Sequence, residues 1–331
     1  EFRRVLFRSK SSGKYQCWST GCNTGEIFKA IASPLQRSST NYRVINKIQS
    51  QKQEKRELPP LPPMPEGEIY LAKLSQPPIQ VPTPQKTFDS RHGEILRTTY
   101  VYSILSDGTL NRWVIRDEWQ DETKAKGRDK TFRQWHRGED GKPQPKKGEG
   151  IWEPYRIDEA IAAYGAAPFG QPTALLFAEG EKVVESLRGI GLAAVTLQGS
   201  GWSNKDLDSL TNRLNSECPD VVLVVVPDHD SAGETKAAKV QAACDRAQIF
   251  SVIVQPTAID SRLPESGDVA DILASADMDA ENFIRRLEQE IHRAVELRRS
   301  QRLQQQEEGE TQVPNSAANL KTEFLQKAFD F

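Results

Sequence analysis

An α/β architecture, a mostly parallel sheet with helices on both faces, follows from three features of this sequence. Beyond Pro172, apolar runs alternate with helix-patterned stretches. The run Val221–Val226 contains no polar residue, as a strand covered on both sides requires. The two clearest acidic motifs each stand directly after such a run, where a parallel sheet presents the carboxyl ends of its strands to ligands.

Taken in order, 174–177 reads as a short buried strand. Glu181–Gly189 reads as a helix with Val183, Val184 and Leu187 on one face and Gly189 or Gly191 as its stop. Residues 192–197 form the second predicted strand. A helix over 204–215 follows, with Leu207, Leu210 and Leu214 at helical spacing. Val221–Val226 is the third strand, 233–247 a helix and 250–254 the fourth strand. From Asp279 to about Gln306 the chain is charged and helix-favouring, with Phe283, Ile284, Leu287, Ile291 and Ala294 as an apolar stripe. This α/β part is bounded at 168–285, and a charged helical tail is assigned to 286–331.

The segment before it has a different character. Residues 33–90 are rich in Ser, Gln and Pro and read as a semi-rigid linker, because proline lacks an amide donor and favours extended chain. Residues 91–167 form a basic α+β subdomain. Within it, 95–105 and 110–115 make a hairpin around Asp107-Gly108, and Tyr155 to Tyr164 forms a short helix. Leu6-Phe7-Arg8-Ser9 resembles a translated sequencing adapter, so residues 1–9 are excluded from the fold assignment and a truncated gene product is expected.

Bulk properties narrow the class. Of 331 residues, 37% are hydrophobic and 27% charged, which leaves room for solvated segments beside a core. A net charge of −2 means that any affinity for nucleic acid must be local. Four cysteines argue against a disulfide scaffold, and Cys218 and Cys244 read as small apolar residues. The longest apolar run is too short to span a bilayer and no signal peptide is evident, so a cytoplasmic protein is expected.

The acidic motifs are Glu179-Gly180-Glu181-Lys182 and Asp228-His229-Asp230-Ser231-Ala232-Gly233. Carboxylates crowded at one sheet edge repel unless a cation sits among them, and hard oxygen ligands suit Mg²⁺ (or Mn²⁺). Such an ion polarises a phosphoryl oxygen and activates an attacking one. A lone Asp-x-Asp more often caps a helix; the placement of both motifs after apolar strands is what favours metal. Glu179, Asp228 and Asp230 are therefore the candidate catalytic ligands, and Lys182 a candidate phosphate contact.

This order of motifs resembles the TOPRIM domain shared by bacterial-type DNA primases, topoisomerases and some nucleases, and is most similar to the primases and primase–helicases of phages and plasmids. The resemblance covers about 168–275. It implies that Gly267-Asp268-Val269-Ala270-Asp271 adds Asp268, with Asp271 beside it, to the metal site; the other reading is that these residues cap a helix. One departure is Val183, where cellular primases often carry an acid.

Residues 123–147 contain nine Lys or Arg and three acids, a charge of +6, interleaved with Phe132, Trp135 and His136, as a phosphate-attracting, base-stacking surface needs. Lys130-Thr131-Phe132-Arg133-Gln134 resembles a Lys-x-Phe-x-Gln segment before TOPRIM in such primases. That resemblance makes Lys130 and Arg116 candidates for holding template or nucleotide. A solvated loop is the alternative, above all for 142–147. Cys17 and Cys22 offer half of a zinc site, and their surroundings at 10–32 resemble the second half of the zinc ribbon that opens such primases. Zn²⁺ would then depend on a missing first ligand pair.

The resemblance implies a DNA primase-like nucleotidyltransferase acting on single-stranded DNA with ribonucleoside triphosphates, alongside a replicative helicase. A TOPRIM nuclease and a catalytically inactive DNA-binding accessory are the rivals. No phosphate-cradling Gly-x-x-x-x-Gly-Lys-Ser/Thr occurs, so no helicase motor is expected in this chain.

Overall fold

The computed structural model describes residues 62–76, 81–124 and 126–311, together with the strands β1 (Leu6–Arg8) and β2 (Tyr15–Cys17). The chain divides into two compact units, Glu1–Leu58 and Pro59–Phe331. In the first, β1 pairs antiparallel with β2, Leu6 opposite Cys17. Cys22, most of the expected zinc ribbon, the linker up to Leu61 and the tail beyond Thr311 lie outside the described residues.

The second unit begins with β3 (Tyr70–Leu71), followed by an antiparallel meander of β4 (Gln85–Asp89), β5 (Gly93–Ile104), β6 (Leu110–Gln120), β7 (Arg128–Arg137) and β8 (Pro143–Gln144). The expected hairpin is β5–β6. Its turn is built as the sequence suggests: the Asp107 carboxylate accepts from the Thr109 amide at 2.9 Å and hydroxyl at 2.7 Å, and Gly108 adopts φ +82°. The middle of the basic segment is no loop, because β7 pairs with β6 from Arg112 to Gln120, with Arg116 opposite Phe132 and Glu118 opposite Lys130.

The helix α1 (Ile157–Gly165) leads into the α/β sheet. This consists of β9 (Thr173–Ala178), α2 (Glu181–Gly189), β10 (Ala194–Val195), α3 (Asn204–Glu217), β11 (Val221–Val226), α4 (Ser231–Arg246), β12 (Phe250–Ile253), α5 (Pro256–Ile259), α6 (Val269–Leu273) and α7 (Ala280–Thr311). The strand order is β10–β9–β11–β12, all parallel, and β3 also pairs parallel with β9. β11 runs along the full length of β9, so β3 and β10 share its other edge in succession.

Alternation along each strand divides the core into two layers. Leu176, Val222, Val224 and Val252 face α2, α6 and α7, whereas Leu175, Phe177, Leu223 and Val225 face α1, α3 and α4. Both faces are covered, which is why β9 and β11 are buried throughout.

Four sequence boundaries need correction. The linker does not extend to residue 90: Leu71 and Ala72 are buried against β9, and Gln85–Asp89 is a strand. Only Ala194–Val195 pairs as a strand within 192–197, since β3 occupies the earlier part of that edge. The charged tail starts later than residue 286: Leu287, Ile291 and Val295 continue the stripe of Phe283 into the core. α1 likewise belongs to the α/β layers, through Ile157, Ala160 and Ala163.

Candidate metal centre and the facing cationic sheet

β9 and β11 are adjacent and in register, Ala178 opposite Val226, so the residues that follow them leave the sheet at one rim. Glu179 departs into α2 through Gly180, which caps the helix at φ +85°, a conformation that glycine enters without strain. Asp228 leads through His229 to Asp230, the cap of α4. Gly233 permits that turn for a different reason: a Cβ there would run into the backbone of Asp228.

Asp268, far along the chain, is brought to the same rim by backbone bonds. The His229 amide donates to the Gly267 carbonyl at 2.9 Å, and the Ser266 amide donates to the His229 carbonyl at 2.8 Å. The loop carrying Asp268 is thereby stitched to the loop carrying Asp228.

The electrostatics of the rim centre on Asp228. Burial, then the neighbouring charges of Glu179, Asp268 and Asp230, push its carboxyl up to about 7. The individual acids are engaged in different ways. Asp230 accepts from the Gly233 amide at 2.7 Å and Asp268 from the Asp271 amide at 2.9 Å, so both cap helices, the plainer reading of each motif. Glu179 pairs with Lys236 through Oε1, while its buried Oε2 makes no hydrogen bond.

Among the described residues, no three His, Cys, Asp or Glu side chains stand close enough to hold one ion. The rim thus gathers the four acids electrostatically without closing them into a cage, as mutually repelling like charges should behave. Hard oxygen donors and an orphaned buried carboxylate oxygen are nonetheless what a divalent cation takes. In that chemical sense the residues fit one.

The candidate cations are distributed unevenly. Lys182 lies 4.0 Å from Asp271, and Lys126 lies 3.4 Å from the same carboxylate. Arg116 is buried and bonded to Glu118 at 2.7 Å, with its guanidinium 5.5 Å from the centre of the Phe132 ring. Lys130 approaches the same ring: its ammonium is 5.7 Å from the Phe132 ring centre. Burial, then the charge of Arg116, lowers its pKa, while Asp268, Asp228 and Glu118 oppose the shift. One face of the meander, carrying Arg116, Lys130 and Gln134, therefore looks towards the acidic rim. Gln134 is hydrogen-bonded to Gln198, on the loop after β10.

Tyr102, with no motif of its own, fastens the meander to the α/β part, and further buried polar contacts tie α1 to α2. The Tyr102 hydroxyl donates to Glu181 at 2.7 Å, and burial holds the Glu181 carboxyl above the usual range. Tyr155 donates to Glu185 at 2.6 Å, and Arg188 is held between Glu185 and Glu159. Lys236 also escaped the sequence reading. Its only signal was helical spacing, one turn beyond Gly233 and therefore on the face turned to the rim. Two cavities lie elsewhere: one of about 850 Å³ sits at the amino ends of the strands near Thr173, Val221 and Phe250, and another of about 850 Å³ beside Arg112, His136 and Lys147.

No protein-family model and no curated protein matches the chain. Two solved structures align with part of it. The DnaG catalytic core matches at 19% identity and TM-score 0.33, covering 53% of this chain and 52% of that one. The DnaG primase catalytic domain bound to single-stranded DNA matches at 21% identity and TM-score 0.33, covering 53% of this chain and 51% of that one. The chain thus aligns with about half the length of each. Among the described residues no helix is long and apolar enough to cross a membrane.

Proposed function

We propose that this protein is a primase-like nucleotidyltransferase that joins ribonucleotides on a single-stranded DNA template. The observation carrying this reading is the opposition of two unlike surfaces. An acidic rim bears Glu179, Asp228, Asp230 and Asp268, and a sheet face turned towards it bears Lys130, Arg116 and the half-exposed ring of Phe132. Phosphates are drawn to cations, bases stack on aromatic rings, and phosphoryl chemistry needs acids that hold a divalent ion.

In this reading Glu179, Asp228 and Asp230 hold Mg²⁺ or Mn²⁺, with Asp268 beside them. The bound ion supplies charge neutralisation at the triphosphate and acidity at the attacking hydroxyl. The chain's own residues orient the reactants. Lys130 meets a phosphate, Phe132 offers a ring to a base, and Tyr102 with Glu181 keeps the meander seated over the rim. Asp228 contributes most as an acceptor once its proton has left, because burial and its acidic neighbours favour the protonated form.

The test is incubation of the whole chain with a single-stranded template, Mg²⁺ and ribonucleoside triphosphates. New short RNA, absent with Asp228→Asn, supports the proposal. A shortened template with no RNA replaces it by a nuclease, and retained DNA with neither product replaces it by a binding accessory.

A further inference from the structure

We propose that Lys236 is the resident counter-cation of the acidic rim, and that a divalent ion engages Glu179 only by displacing it, so that this lysine sets the protein's metal affinity. The inference rests on the metal reading above and adds a control that the sequence motifs do not contain.

The geometry is specific. Gly233 lets the first turn of α4 lie against the Asp228 backbone, and Lys236 stands one turn further along the same face. Its ammonium reaches across to the end of β9 and pairs with Glu179 Oε1. Among the described residues it is the only cation in ion-pair contact with Glu179, Asp228, Asp230 or Asp268.

The lysine is also held from behind. Its nitrogen lies 5.7 Å from the centre of the Trp202 ring. Trp202 is buried, packs edge-on against Phe177 at 5.1 Å and donates its indole N–H to the Gly199 carbonyl at 3.0 Å. Lys239 donates to the Trp202 carbonyl. The Lys236 and Glu179 side chains are only 21% and 19% exposed, so solvent screens this pair less than a surface pair.

Of the two Glu179 oxygens, one is taken by the ammonium and the other lacks a hydrogen bond. A divalent ion drawing on this carboxylate competes with a positive charge already there. Neutralising Lys236 leaves the rim with more unbalanced negative charge, and a cation should then bind more tightly. If Lys236 instead served to pre-orient Glu179 for the ion, removing it would weaken binding.

The experiment is titration of the full chain with Mn²⁺ alone, read by calorimetry and by electron paramagnetic resonance of the free ion. The wild type is compared with Lys236→Met, Lys236→Gln and Lys236→Arg. The neutral variants should bind Mn²⁺ about tenfold more tightly, with the arginine variant near the wild type. They should also melt lower without Mn²⁺ and gain more on its addition. Lys236→Gln covers the case in which Lys236→Met does not fold. If Mn²⁺ binds the wild type and the neutral variants equally, or the variants more weakly, the role given to Lys236 falls and the metal site stands. If no form binds Mn²⁺, the metal reading falls and this inference with it.

Discussion

Every residue of Thr173–Ala178 and Val221–Val226 is buried, whereas not one residue of Arg128–Arg137 is. The parallel strands contribute chemistry only where they end, at a rim whose position is set by close packing on both faces. The meander strand contributes along its length, through long cationic and aromatic side chains that stand clear of the core. Substitution within the first should therefore cost stability, and within the second affinity, while the acids at the rim between them should cost rate.

The largest effect expected is on rate. Asp228→Asn should lower primer synthesis by about 10⁴-fold, roughly 5 kcal/mol of barrier, while DNA affinity in a filter-binding assay changes by less than about twofold. Equal loss of both would erase the distinction between rim and face.

The core comes next. Leu176→Ala, at a fully buried position, should cost about 2–5 kcal/mol in denaturant unfolding. Arg128→Ala, at an exposed position on β7, should stay within about 0.5 kcal/mol. Similar costs at the two sites would contradict the contrast between the sheets. Tyr102→Phe probes the seam between them. It leaves the buried Glu181 carboxyl without its side-chain donor and should cost about 1–3 kcal/mol by the same measurement.

Smaller still is Lys130→Ala. It should weaken single-stranded DNA binding several-fold and reduce the salt dependence of log K by about 0.7, the contribution of one phosphate contact. An unchanged slope would remove Lys130 from the DNA path.

The pH response sharpens the picture of the rim. Asp228 is raised from 3.8 to about 7 in the folded chain, so its contribution to stability is fully present below pH 3.8 and is lost as pH rises through about 7. Melting curves without divalent ions should show this slope, and Asp228→Asn should flatten it. Mn²⁺ affinity should rise over the same interval, because the ion replaces a proton.

Much of this was legible in the chain itself. The strands at Thr173–Ala178 and Val221–Val226 and the helices between them follow from local periodicity, and the acids after each strand follow from the rule that parallel strands present ligands at their carboxyl ends. The signal failed where burial was supplied from a distance. Tyr70–Leu71, set among prolines, is a strand because the edge of β9 was open to it. The stripe at Leu287, Ile291 and Val295 is core because the α2 side of the sheet needed covering. Glu181 read as one more acid of a motif, yet it is buried beneath Tyr102 from a different sheet.

By itself, then, the order of residues determined the main strands and helices of the α/β part and that acids would stand at strand ends, since those properties depend on neighbours within a turn or two. Which charges meet was decided only by tertiary structure: Lys236 with Glu179, Lys130 near Asp228 and Asp268, Arg116 with Glu118 beneath Phe132. Such pairings depend on how the meander seats on the parallel sheet and how α4 turns over the rim. Side chains remote in sequence carry no local trace of either.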